Sequence, residues 1–350
     1  MKKTFLLCCC FTAAVSFNKI YAENNDPVFV NAAMPSLTKD KNGIIYMLFA
    51  KGNGLYYAIS ADKGAGFSSA MFIDSISGLV STAGRGPLIS YTKNGLNILA
   101  LDKDGNIYSY TKAETGTWIK HEKVNDAADV AKEGFLSVAA KEDSLYAVWL
   151  DLRGNDKNKI AGALSADGGK TWQKNKIIYE SPSGTVCECC KPSVVFGEKG
   201  ITVMFRNSMD GNRDLYIIQS SDGGNNFSGT MKLGKGTWKL NACPMDGGGL
   251  RYSSNGSLQT IWRRRDTVFV SAPGMQEQMI GKGRNCSIEN ISEQFIYSWI
   301  EDSNIVCLLP GNKKINIGEG SNPVLKAIDE KSFLCVWQYN KNIYSKLISL

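Results

Sequence analysis

Ser165-Ala166-Asp167-Gly168-Gly169-Lys170-Thr171-Trp172 is the stretch that decides the fold. The Asp carboxylate can accept hydrogen bonds from backbone N–H groups two or three residues on. The two glycines supply the positive φ angles of a tight turn. The serine hydroxyl can join the same network, and the aromatic ring closes the turn from below. Ser60-Ala61-Asp62-Lys63-Gly64-Ala65-Gly66-Phe67 is a degenerate copy, and Ser220-Ser221-Asp222-Gly223-Gly224-Asn225-Asn226-Phe227 is another. The copies start 105 and then 55 residues apart, with one decayed copy between the first two. A unit of roughly 50 residues therefore repeats, a period that belongs to a β-propeller or a comparable array.

Strand patterns fill the space between the turns. One apolar strand recurs in each unit: Ile45-Tyr46-Met47-Leu48-Phe49, Leu96-Asn97-Ile98-Leu99-Ala100-Leu101, Tyr146-Ala147-Val148-Trp149, Thr202-Val203-Met204-Phe205, Gln259-Thr260-Ile261-Trp262, Ile296-Tyr297-Ser298-Trp299 and Leu334-Cys335-Val336-Trp337. A second alignable set opens each unit, as at Pro35-Ser36-Leu37, Pro87-Leu88-Ile89, Pro192-Ser193-Val194 and Pro323-Val324-Leu325. The last unit stops one strand short, and Pro27-Val28-Phe29-Val30 precedes the first unit without a partner. Pairing the two closes a ring and removes an open sheet edge. The expectation is one all-β domain over residues 23–350, a single β-propeller of four-stranded blades, seven in number.

The Asp turns resemble the Asp-box (BNR) repeats of sialidases and related propellers. That resemblance implies an enzyme or a glycan-binding protein, and it keeps six blades open, the number in sialidase-type propellers. It also implies an arginine triad for a sugar carboxylate, a Tyr–Glu nucleophile pair and an Asp acid/base. The first arginine of that pattern is missing, because the matching position reads Ala33-Met34-Pro35. Arg206 and Arg263 stand in for later triad members, and Tyr297 with Glu301 is the candidate nucleophile pair.

Lys2 and Lys3 precede an apolar run over residues 4–17, too short to span a bilayer, and Ile20-Tyr21-Ala22 ends on a small residue. Residues 1–22 read as a secretory signal peptide, which implies export to a periplasm or to the outside of the cell. Removing it takes three of the 40 basic residues and none of the 33 acidic ones, so the net charge falls from +7 to +4. That balance suits an acidic ligand. No Lys/Arg run of nucleic-acid type is present, and no later stretch reads as a membrane span.

In a propeller the loops after each second strand and the loops leading into each first strand open on one face, around the central channel. The Asp turns lie on the other face. The first face collects the arginines Arg85, Arg153, Arg206 and Arg263, which can grip a carboxylate or sulfate bidentately. It also collects Asp151, Glu133 and Glu301, which with Tyr297 are the candidate catalytic groups for a glycosidase working with two carboxylates. The alternative is that Arg206, Arg213 and Arg263–Arg265 pair with Asp151, Asp210 and Asp266 and brace loops.

Seven of the ten cysteines lie beyond residue 22. Cys187-x-Cys189-Cys190 leads into the fourth unit and Cys243-x-Met245 into the fifth, equivalent places in neighbouring blades. These five residues form a soft-ligand set suited to copper(I), and less to zinc without histidine. His121 is the only histidine, which excludes a His-based triad or zinc-hydrolase site. Disulfides joining Cys243 to the Cys187–190 loop, or a redox thiol, are the alternatives. Three functions follow from these residues: binding or hydrolysis of an anionic glycan, binding of copper or another soft metal, and a partner-binding scaffold.

Overall fold

The structure, a computed structural model, describes residues 20–21, 26–82 and 84–350. Of the segment read as a signal peptide only Ile20–Tyr21 is described, as a two-residue strand against Gly66–Phe67. The rest of that segment lies outside the described residues.

The remaining strands form seven antiparallel sheets in chain order. Blade 1 is Ala33–Lys39, Ile45–Lys51, Gly54–Ser60 and Met71–Ser75; blade 2 is Leu88–Thr92, Gly95–Leu101, Ile107–Lys112 and Trp118–Lys120. Blade 3 is Leu136–Lys141, Ser144–Asp151, Lys159–Ser165 and Lys176–Tyr179. Blade 4 is Ser193–Gly197, Gly200–Ser208, Leu215–Ser220 and Met231–Lys232, with Thr185–Val186 added at the end of its second strand. Blade 5 is Gly249–Tyr252, Leu258–Arg264, Thr267–Ser271 and Gln278–Lys282, and blade 6 is Arg284–Ile291, Gln294–Glu301, Asn304–Leu309 and Lys313–Glu319.

Blade 7 supplies only Ser321–Asp329, Ser332–Tyr339 and Asn342–Ser349. Its fourth position is taken by the N-terminal segment. Val28 N–H donates to the Ile343 carbonyl at 2.7 Å, and Ile343 N–H donates to that of Phe29 at 2.8 Å. Phe29 then stacks on Phe49 of blade 1 with ring centroids 4.4 Å apart. The innermost strands of blades 1 and 7 touch, so the wheel closes. Blade 2, the faintest unit in the sequence, is a complete four-stranded sheet, and this settles seven blades over six.

Each blade is sandwiched between two others, so its second strand is covered on both faces. That is why these strands read as nearly unbroken apolar runs rather than alternating ones. In Ser144–Asp151 every residue after the first is buried. The core accordingly lies between blades: Leu37 and Phe49 of blade 1 share one cluster with Leu334, Val336 and Ile343 of blade 7.

The three Asp turns carry one hydrogen-bond pattern. Ser60, Ser165 and Ser220 each donate Oγ–H at 2.8 Å to the Asp two residues on. Each serine oxygen accepts the N–H of the glycine four residues on, at 2.8 to 2.9 Å. Those glycines, Gly64, Gly169 and Gly224, have φ of +92°, +94° and +87° and press on the second strand of the preceding blade. A Cβ on Gly169 would lie 2.0 Å from Asn97, and one on Gly224 would lie 2.3 Å from the Tyr146 ring. The turns are clamps between neighbouring blades, and they follow third strands, on the face away from the channel mouth.

Candidate functional site

The second strand of blade 4, Gly200–Ser208, carries Arg206 near its channel-mouth end. Arg206 is buried, and its guanidinium donates to the carbonyls of Asp246 at 3.0 Å, Arg213 at 2.6 Å and Arg263 at 2.9 Å. Three loops are thereby tied to one side chain. Among the described residues no carboxylate lies within ion-pair distance of it. The permanent charge of a guanidinium is thus buried against carbonyl dipoles and the face of Trp238, 5.4 Å away.

The cysteine loop is built onto the same strand. Thr185–Val186 pairs with Ser208 and Asn207, and the ladder continues one step as Cys187 N–H donates to the Arg206 carbonyl at 3.0 Å. A turn at Glu188 and Cys189 then folds the chain back. It brings the Sγ atoms of Cys187 and Cys190 to 3.3 Å and those of Cys187 and Cys189 to 3.7 Å. All three thiols are buried, and their sulfurs lie within 4.8 Å of one another. The turn is held by Glu188, which accepts from Arg213 at 2.8 Å. Burial works against the Arg213 charge, but Glu188 and the adjoining Cys187 thiol more than offset it and raise its pKa.

The next inter-blade loop closes over this one. Gly247 packs against the Lys191 backbone. Asp246 is buried, accepts from Asn285 N–H at 2.7 Å, and so joins the loop to blade 6. Cys243, on this loop, is exposed. Met245, also exposed, sits at φ +56° on the same loop. The sequence expectation that segments from blades 4 and 5 meet at one rim therefore holds in the geometry.

All seven described cysteines are free thiols, so the disulfide alternative between Cys243 and the Cys187–190 loop is not the arrangement present. The hydrogen bond to Cys189 pushes the Cys187 thiol up to about 12, and burial pushes Cys190 up to about 12. Burial and the Asp246 charge also raise Cys286 well above its ordinary value, against the pull of Arg206 and Arg263. Cys307 and Cys335 belong to the core between blades 6 and 7, as their strand positions predict.

The donor set fits a thiophilic ion. With metal–sulfur bonds of about 2.3 Å, ligand sulfurs stand about 3.8 to 4.0 Å apart in tetrahedral or trigonal sites. The 3.7 Å separation already matches this within a few tenths of an ångström, and the 3.3 Å one needs about half an ångström or slightly more of opening.

The other candidate residues are placed differently. Arg153 is locked onto Asp151, with Nε at 2.8 Å and one terminal nitrogen at 2.9 Å, while Trp149 Nε1 also donates to that buried carboxylate at 2.9 Å. Glu133 accepts from Asn158 at 3.2 Å. Tyr297 and Glu301 share one strand four residues apart, about 13 Å at 3.3 Å per residue, so they are not brought together as a nucleophile pair. Tyr297 Oη bonds Gln259 at 3.0 Å, and Glu301 accepts from Lys314 and from Trp299. Arg263 donates Nε to the Arg265 carbonyl and lies over Trp238. Arg85 stacks on Phe135 at 4.0 Å and donates Nε to the Glu133 carbonyl at 2.6 Å.

Sequence reasoning offers Arg213 as a loop brace but pairs it with other carboxylates than Glu188, and it assigns no role to Glu188, Asp246 or Trp238. The available signal is Gly247-Gly248-Gly249 directly after Cys243-Pro244-Met245-Asp246, since consecutive glycines mark a close backbone approach.

No protein-family model matches the sequence, and no curated protein sequence does. Solved structures match over nearly the whole chain. An ulvan lyase of polysaccharide lyase family PL25, solved bound to -[GlcA(1-4)Rha3S]-, is 11% identical with a TM-score of 0.57, covering 95% of this chain and 96% of that one. Virginiamycin B lyase from Staphylococcus aureus is 11% identical with a TM-score of 0.53, covering 96% and 99%. A protein of unknown function from Dyadobacter fermentans DSM 18053 is 15% identical with a TM-score of 0.51, covering 96% and 98%. At these identities the likeness is one of fold. The chain is a seven-bladed β-propeller.

Proposed function

We propose that this protein is an exported propeller that holds one soft metal ion, copper(I), on the thiolates of Cys187, Cys189 and Cys190 at its channel mouth. The observation that carries this reading is the convergence of three buried, unbridged thiols within 4.8 Å. Each thiol gives up a proton as its sulfur bonds the ion, and the nearby Arg206 and Arg213 guanidiniums offset the negative charge that three thiolates bring. Thiolates select copper(I) among the ions an exported protein meets. The test is anaerobic titration of the reduced mature protein with copper(I), followed by metal analysis after desalting. One equivalent retained supports the reading; retention of less than a tenth, or of zinc in preference to copper(I), overturns it.

A second reading, in which the same face binds an anionic glycan, is favoured by Arg85. Its stack on Phe135 and its single bond through Nε fix the side chain, while both terminal nitrogens have no protein partner among the described residues. That leaves the bidentate fork free for a carboxylate or sulfate. The sialidase-type Asp turns agree with such a ligand in architecture only. An array of sialosides, uronates and sulfated oligosaccharides tests it: retention lost in Arg85→Ala supports the reading, and no retention by the wild type ends it.

A further inference from the structure

The cysteine turn holds a pair of sulfurs as well as a donor set. Cys187 and Cys190 stand on either side of the turn at Glu188 and Cys189, and their Sγ atoms are in contact at 3.3 Å. The outer residues of a four-residue turn lie within about 7 Å at Cα, the span that a disulfide bridges. Shortening 3.3 Å to the bond length of about 2.05 Å is a shift that side-chain rotation supplies. The chain path around the pair is fixed. Cys187 N–H donates to the Arg206 carbonyl at 3.0 Å, Glu188 accepts from Arg213 at 2.8 and 3.4 Å, and Gly247 presses on the Lys191 backbone. The third sulfur is placed differently. Cys189 Sγ lies 3.7 Å from Cys187 Sγ, and Cys189 is 5% exposed where Cys187 and Cys190 are 0% and 2% exposed. Cys187 therefore touches both of the other sulfurs, and Cys189 is the least covered of the three.

We propose that Cys187 and Cys190 form a reversible disulfide by exchange with an external organic disulfide, and that closing this bond expels the ion from the cluster. The disulfide stands without the copper reading above; the expulsion rests on it. Disulfide exchange belongs to the exported compartment that the N-terminal segment predicts. Cys189, the most accessible, loses its proton and attacks one sulfur of the external disulfide, whose other half leaves as a thiolate and takes up a proton. Cys187 then attacks the Cys189 sulfur, and the second half leaves in the same way. Cys190 finally attacks the Cys187 sulfur, and the released Cys189 thiolate is protonated. In sum two protein thiols lose two hydrogens with their electrons, and the external disulfide becomes two thiols. In the loaded protein the bonds from Cys187 and Cys190 to the ion break as the two sulfurs join. The electrons come from sulfur, so the ion leaves as copper(I), held by one thiolate where there were three.

The test takes the mature protein, reduced and metal-free, and equilibrates it without oxygen in glutathione buffers of rising disulfide share. Open thiols are trapped with N-ethylmaleimide in denaturant, the protein is reduced, and newly freed thiols are labelled with iodoacetamide before peptide mass spectrometry. The expected result is iodoacetamide on Cys187 and Cys190 with maleimide on Cys189, reversed by added glutathione. Copper(I) retention should be at least about tenfold lower in the oxidised protein, as for the loss of metal ligands. Maleimide on all three cysteines throughout the series, or iodoacetamide on Cys189 or Cys243, overturns the disulfide. Oxidised protein that retains copper(I) as well as the reduced protein overturns the expulsion. A reduced wild type that takes up no copper(I) but still forms this disulfide overturns the parent metal reading and the expulsion with it, and leaves the disulfide supported, so the failures are distinguishable.

Discussion

Gly247 approaches Lys191 so closely that a Cβ placed on it would lie 1.9 Å from the Lys191 carbonyl oxygen. The contact joins the two loops that carry the sulfurs, so the packing of the Cys243 loop on the Cys187–190 loop depends on a residue with no side chain. Gly247→Ala cannot be absorbed by a rotamer change, because the atom it meets is backbone. We expect a loss of about 1 to 3 kcal/mol in urea unfolding, the usual cost of overpacking. Separation of the loops should also raise the reactivity of the cluster thiols toward a thiol-specific reagent. Wild-type stability and thiol reactivity together would contradict this account.

Cys190→Ser tests the ligand set. Serine keeps the size of the side chain but not the soft sulfur, and Cys190 is buried with Sγ 3.3 Å from that of Cys187. Loss of an outer-shell partner costs roughly 10- to 100-fold in metal affinity, so loss of a direct ligand should cost more. Competition titration against a copper(I) chelator measures it. If Cys286→Ser weakens binding as much as Cys190→Ser, the ion sits elsewhere.

Phe29→Ala tests the closure. Phe29 is buried, stacks on Phe49 and belongs to the N-terminal stretch that completes blade 7. Truncation of a buried phenylalanine costs about 3 to 5 kcal/mol. A denaturation midpoint within error of the wild type would show that the ring is held shut by other contacts.

Much of the wheel was legible because its signals are short-range. An Asp turn is specified within eight residues, and the glycine four after each serine announces both a positive φ and a close neighbour. Blade equivalence carried the reasoning further, since Cys187 and Cys243 occupy matching loops. The roles of the arginines were not legible. Arg206 is bound by three main-chain carbonyls, and carbonyls leave no trace in a sequence. Arg153 looked available but is closed onto Asp151, two residues away, a pairing that the strand-end geometry decides. The free thiols were equally hidden, because the choice between a disulfide and separate sulfurs depends on the path of the Cys187–190 turn.

Glu277 should govern part of the acid sensitivity. Burial raises its pKa, but N–H donation from Lys235 and Gly236 and the Arg264 guanidinium at 2.8 Å outweigh this and bring it to about 2 from an ordinary 4.5. A depressed folded value means stability that is fully present above 4.5 and is lost as pH falls toward 2. Glu277→Gln should therefore cost about 1 to 2 kcal/mol at neutral pH, allowing for partial solvent screening. The difference between variant and wild type should shrink by half or more near pH 3. A difference independent of pH would assign the effect to hydrogen bonding alone.

Arg206 separates charge from scaffolding. Its guanidinium holds three loops through three carbonyls, and it is buried near Cys190 and Cys286 without a carboxylate partner among the described residues. Arg206→Lys keeps the charge but cannot reach three acceptors at once. It should lose several kcal/mol of stability through unsatisfied buried carbonyls while keeping most of the copper(I) affinity. Arg206→Met keeps the bulk against Trp238 and removes the charge. It should lose comparable stability and, in addition, about tenfold in copper(I) affinity, ~1.4 kcal/mol for one nearby charge facing a negatively charged thiolate set. Parallel urea unfolding and copper(I) competition on both variants give the two quantities separately. If the two variants bind copper(I) equally well, the guanidinium is a brace with no part in the charge balance of the site.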